Sequence, residues 1–150
     1  MAQVTEKVSI PMDPDLLWEN IGGFGAVGIW HPMLAKVEVQ REELGAVRTA
    51  HGRDGSMYVE RLVDVEPEQH RYRYKMESTP LPVGNYVGEF RIESDAEHES
   101  SVVWAADFDV TKGDEATTVG EVRQFLRSGL DQLRAAYGGS RCNRVMVSIP

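Results

Sequence analysis

Along most of the chain apolar and polar residues alternate, and the period lengthens towards a helical one only near the two ends. In QVTEKVSI, residues 3–10, Val4, Val8 and Ile10 share one face at period two, which predicts a half-buried strand closed by Pro11. Asp13 followed by Pro14 supplies an acceptor at the N-cap and a residue of fixed φ at the first helical position. Leu17, Trp18 and Ile21 then form one apolar stripe, and Gly22-Gly23 ends the helix. The stretch FGAVGIW has room for one more short helical turn before Pro32 forbids continuation.

From Val37 onward the period of two predicts strands at roughly 36–41, 46–52, 56–65, 69–78, 85–94 and 100–111. Gly45, the Asp54-Gly55 pair, Pro67, TPLPVG and DAEHE supply the turn chemistry between them. Tyr72, Tyr74 and Met76 oppose Arg71, Arg73 and Lys75; Tyr86, Phe90 and Ile92 oppose Val87, Glu89, Arg91 and Glu93. Val102, Trp104, Ala106, Phe108 and Val110 repeat the theme against Ala105, Asp107 and Asp109, so each strand has one apolar and one solvated face. The period then changes. Val122, Phe125, Leu126, Leu130, Leu133 and Tyr137 recur at helical spacing, predicting a helix from 114 or 118 to 137 with Thr118 and Glu121 as a capping box and Gly138-Gly139 as its end. RVMVSI in the tail 140–150 reads equally as strand or as a disordered end. The order strand, two helices, six strands, long helix describes an α+β fold: an antiparallel sheet of about seven strands with the helices on one face.

Composition narrows this without changing it. A chain of 150 residues suits one domain, here 1–138 with a tail 139–150, and buries roughly two thirds of its unfolded surface. With 41% hydrophobic and 27% charged residues it is neither disordered nor membrane-spanning. A net charge of −8 opposes nucleic acid and anionic membranes as partners. The lone cysteine, Cys142, has no disulfide partner, and the N-terminus lacks the apolar run of a secretory signal; a cytoplasmic location is expected. A homodimer stays open. No cofactor or metal is called for: GxSxG, a phosphate loop, HExxH and CxxC are all missing, and the acidic run 93–99 lacks calcium-loop spacing.

A long amphipathic helix laid over a strongly curved sheet leaves a space that aromatics would line. The stretches LLWENIGGFGAVGIWHP, GAVR, VERLVDVEPE, PVGNY and LDQL, in this order, resemble the START/SRPBCC superfamily, which includes polyketide cyclases, lipid-transfer proteins, the birch-pollen allergen group and the plant abscisic-acid receptors. The resemblance extends to about Tyr137 and is nearest to the bacterial polyketide cyclase/dehydrase-like branch. It implies a helix-grip fold. The short GRDGS turn has no room for the gating loop of the plant receptors, which counts against a hormone receptor.

Two residues are candidates for catalysis. Alternation alone exposes Glu60, together with Tyr58 and Asp64, and buries Val59, Val63 and Val65, whereas the resemblance implies that Glu60 faces the cavity. If Arg53, Asp54 and Gly55 form a three-residue hairpin loop, Arg48 lies directly opposite Glu60 and the two pair. That cation would keep the carboxylate charged and weaken it as a base. His31 is either a loop residue beside a core Trp30 or, as the resemblance to the abscisic-acid receptors implies, a cavity-facing basic group able to bind an anion when protonated or to move protons. Arg48, Tyr58, Tyr74, Tyr86 and Phe125 are the expected ligand contacts, with Trp30, Trp104 and Phe108 as packing residues that could also form cavity wall. Gly129, in mid-helix, marks a close approach by the sheet or a ligand. His51 is expected at the rim, and His70 and His98 in solvent.

These readings lead to a protein that holds a hydrophobic, aromatic or polycyclic small molecule. His31 and Glu60 would assist cyclisation or dehydration, as the cyclase branch implies. The alternatives are a small-molecule or lipid carrier or sensor that binds without chemistry, and an interaction module with little internal volume.

Overall fold

The computed structural model describes residues 1–40 and 44–138. The tail 139–150, with Cys142, and residue 41 of the second predicted strand lie outside the described residues. Strand β1 (Ala2–Ile10) leads into helix α1 (Pro14–Ile21) and the single turn α2 (Val27–Trp30). Strands β2 (Leu34–Val39), β3 (Val47–Gly52), β4 (Met57–Glu66), β5 (Arg71–Ser78), β6 (Val83–Ala96) and β7 (Glu99–Val110) follow, and helix α3 (Glu115–Leu133) closes the fold, continued by a π-type turn over Arg134–Gly138. The seven strands form one antiparallel sheet in the order β1-β7-β6-β5-β4-β3-β2, with β1 and β2 at its edges. No helix among the described residues is long and apolar enough to cross a membrane.

α3 packs on β1 and β7, burying Thr118, Val122, Leu126, Gly129, Leu130 and Leu133 on one face. Its start is one turn earlier than the Thr118–Glu121 capping box would put it. Asp114 is the N-cap, its carboxylate accepting from the Thr117 backbone N–H at 3.1 Å and the Thr117 hydroxyl at 2.8 Å. Thr118 already lies inside the helix, its own N–H donating to the Asp114 carbonyl at 3.3 Å, so it is not the cap.

Hairpin β3–β4 has the register expected of its turn. Gly52 N–H donates to the Ser56 carbonyl at 2.8 Å, Arg53–Gly55 form the loop, and Gly55 takes φ +90°, which its missing Cβ permits. Arg48 therefore faces Glu60 directly. The simple alternation along β4 does not hold. Val63 is a bulged residue with no partner on β5, since Leu62 pairs with Tyr74 and Asp64 with Arg73. The bulge switches the phase of the strand. Before it, Glu60 and Leu62 point inward; after it Val65 packs against the core, while Val63 is left exposed.

A second irregularity sits in β6, where Asn85 adopts φ +52° and the register with β7 slips between Gly84 and Val87. Asn85 Nδ2 donates to Asp109 at 2.9 Å, and Tyr86 turns inward to stack on Phe108. His70 also departs from expectation. It closes the short 3-10 turn Pro67–Gln69 in a left-handed conformation, packs its ring near Trp18 and bonds Asp15 at 2.7 Å, so it ties α1 to the sheet.

Candidate functional site: the cavity between α3 and the sheet

A cavity of about 160 Å³ lies between α3 and the inner face of the sheet. The sheet contributes Arg48 and Ala50 from β3, Tyr58 and Glu60 from β4, Tyr74 and Met76 from β5, Tyr86 from β6 and Trp104 from β7. α3 contributes Glu121, Val122, Gln124 and Phe125, and Val27, Met33, Leu34, Asp54 and Leu81 complete the wall. The exposed members of this set, Met33, Asp54, Glu121 and Gln124, mark the mouth. A second hollow of about 260 Å³ adjoins it there, sharing Met33, Leu34, Asp54, Tyr58 and Phe125.

Arg48 is 1% exposed and organises the polar end. Its Nε donates to Glu60 Oε1 at 2.7 Å, and its Nη1 to the Phe24 carbonyl at 2.7 Å and the Tyr72 hydroxyl at 3.1 Å. The rings of Phe24 and Tyr74 lie against the guanidinium, with centroids 4.2 and 4.6 Å away. Burial, the largest single influence, favours a neutral arginine, but the Glu60 carboxylate together with Tyr72 and Tyr74 outweighs it and keeps the guanidinium firmly charged. Glu60 Oε2 accepts no hydrogen bond from the described residues, and the side chain lines the cavity.

The tyrosines follow from the backbone beneath them. Tyr74 lies across Gly88, where a Cβ would come within 2.1 Å of its ring, so only glycine leaves it space. In that position its hydroxyl accepts from Trp104 Nε1 at 3.0 Å. Burial raises the phenol pKa of both Tyr74 and Tyr86, with the Glu60 charge adding, so both remain protonated hydrogen-bond donors.

Four predicted site residues are not in the cavity wall. His31 is 2% exposed, and both ring nitrogens are engaged: Nε2–H donates to the Phe125 carbonyl at 2.8 Å, and Nδ1 accepts from Met33 N–H at 3.1 Å. Phe125, which does line the cavity, stacks on the imidazole at 4.0 Å between centroids. Burial, reinforced by the Arg48 charge, lowers the His31 pKa to about 4 against the pull of the Phe125 carbonyl, so the ring is neutral. Gly129 admits this imidazole and Trp104 rather than a ligand: a Cβ would lie 2.6 Å from His31 Cδ2 and 3.0 Å from Trp104 Cζ3. Trp30 packs among Phe90, Trp104 and His31, and Phe108 lies behind Tyr86. His51 bonds Glu38 at 2.8 Å on the far side of the hairpin from Glu60, and His98 is exposed.

Sequence reasoning missed Val27, Leu34, Ala50, Met76, Leu81, Val122 and the mouth residues Met33, Asp54, Glu121 and Gln124. Val122 was visible as part of the helical stripe and Met76 in the alternation of its strand; the others carry no local signal, because what makes them lining residues is the space left opposite. Among the described residues no three His, Cys, Asp or Glu side chains converge as metal ligands would.

The fold and this cavity are those of a known class. Residues 1–138 match the family described as polyketide cyclase / dehydrase and lipid transport, and the chain belongs to that family. Among solved structures it is similar to a protein of Bacillus cereus, XoxI, at 25% identity and TM-score 0.85, covering 91% of this chain and 96% of that one. Ginseng major latex-like protein follows at 18% identity and TM-score 0.73, covering 91% of this chain and 97% of that one. An aromatase/cyclase from a Streptomyces species, Zhui, gives 22% identity and TM-score 0.65, covering 90% of this chain and 87% of that one. Among curated proteins no sequence matches. The architecture is thus the helix-grip fold of the START/SRPBCC superfamily, and membership of this family supports a hydrophobic ligand-binding role.

Proposed function

We propose that the protein takes up a hydrophobic, aromatic small molecule between α3 and the sheet. Tyr58, Trp104 and Phe125 would contact its body, and Glu60, Tyr74 and Tyr86 its polar group, while Arg48 holds Glu60 in place. The supporting observation is the cavity of about 160 Å³, largely apolar but with a carboxylate oxygen and tyrosine hydroxyls converging in it. Native mass spectrometry of the purified protein tests this reading. A co-purifying small molecule, or binding from an aromatic panel detected by thermal shift, is expected; an empty protein that responds to no member of the panel would refute it.

Binding without chemistry, as in a carrier or sensor, fits the geometry best, since His31 has both nitrogens bonded to backbone groups behind the wall. A catalytic reading is favoured by one observation, the open Oε2 of Glu60. In that reading Glu60 accepts a proton from a bound substrate during cyclisation or dehydration while Tyr86 donates a hydrogen bond to it. Turnover that vanishes in Glu60→Gln with ligand binding retained supports the enzyme. Binding without chemical change across candidate substrates supports the carrier.

A further inference from the structure

The charges around this cavity are unequal. Among the described residues Arg48 is the single cation in its lining, against the carboxylates of Asp54, Glu60 and Glu121. That cation is already neutralised, with Nε on Glu60 and Nη1 shared between the Phe24 carbonyl and Tyr72. Arg53 stands in the outer hollow and donates to the Pro32 carbonyl at 2.8 Å. At the mouth, two hydrogen bonds from Ser56 keep Asp54 ionised. A ligand carboxylate reaching the open side of Glu60 would therefore meet a like charge where little water screens the repulsion, and two more carboxylates, Asp54 and Glu121, at the solvent-exposed mouth, while the cation behind Glu60 is already paired with it. A ligand hydroxyl would instead find Glu60 Oε2 open, and an ionised acceptor makes a short, strong hydrogen bond.

Size adds a second constraint. An apolar cavity of roughly 150 Å³ holds one benzene ring, and this one measures about 160 Å³. Further bulk has to lie in the outer hollow.

We infer that the cavity takes a compact, uncharged one-ring molecule of the phenol class, its hydroxyl donating to Glu60 Oε2, and excludes the carboxylate of the same shape. This rests on the small-molecule-binding reading above. It departs from the anion-binding basic group that the abscisic-acid receptors suggested for position 31.

Isothermal titration of the full chain at neutral pH with p-cresol, p-toluate, toluene and 9-phenanthrol tests it. p-Cresol is expected to bind on the order of tenfold or more tightly than p-toluate, and more tightly than toluene, which leaves Glu60 without its donor. The rigid tricyclic phenol is expected to bind more weakly than p-cresol. In Glu60→Gln, Arg48 loses its counter-charge, so p-toluate should gain affinity and p-cresol lose its advantage. Equal or tighter binding of p-toluate to the parent protein overturns the charge selectivity, and preference for 9-phenanthrol overturns the size limit; both leave small-molecule binding intact. Failure of all four to bind overturns the binding reading and this inference together. The comparison on the parent protein decides the matter even if Glu60→Gln does not fold.

Discussion

A guanidinium that is 1% exposed can stay charged only because Glu60, the Phe24 carbonyl and Tyr72 replace its water. Arg48→Met strands a buried carboxylate and should cost about 3–5 kcal/mol in urea denaturation, whereas Arg48→Met combined with Glu60→Leu should recover most of that loss. His31 makes the opposite case, a titratable ring kept neutral. Its pKa is about 4 in the folded protein against 6.5 ordinarily, so between those values the unfolded chain binds a proton that the native state does not. Its contribution to stability is complete above pH 6.5, declines as pH falls towards 4 and is then lost, a change of about 3 kcal/mol. Denaturation midpoints across this range should fall more steeply for the parent than for His31→Gln. Of these two residues, the Arg48–Glu60 pairing was legible because a three-residue hairpin loop sets its register. The direction of His31 was not, since its partners, the Phe125 carbonyl and Met33 N–H, come from a helix far along the chain and a turn whose shape local pattern leaves open.

At the scale of elements, period two and period 3.6 predicted all seven strands and the long helix, with boundaries off by a few residues. What alternation missed were the places where a strand changes phase. The bulge at Val63 turns a strand that begins by facing Glu60 inward into one that ends by facing Val65 inward, and no residue at 63 announces it. It arises because β4 must pair with β5 while the sheet bends round α3. The helix is matched to the sheet at Gly129. Gly129→Ala gains helix propensity but drives a methyl into the His31 ring, which two hydrogen bonds hold still. The net result should be a loss of up to about 2 kcal/mol, measurable by thermal unfolding.

For the whole molecule the decisive quantity is the volume left between α3 and the sheet. Ala50 is 4% exposed and lines the cavity from β3, so Ala50→Phe should occupy the ligand's space rather than crowd a filled core. The variant should keep the parent circular dichroism and unfold at a similar temperature, yet lose binding of every ring-sized ligand by titration. A variant that folds and still binds would place the ligand elsewhere.

Sequence alone settled the α+β class, the order of elements and the inward face of most strands, because these follow from short-range periodicity and turn chemistry that neighbouring residues carry between them; the superfamily came from the resemblance of a few stretches to known members. Tertiary structure decided which polar groups reach the cavity, why His31 sits behind its wall, and how large and how negatively charged the cavity is. Those properties are differences between surfaces brought together from distant parts of the chain. A shift of one strand phase or one helix turn would change them while leaving every local pattern intact.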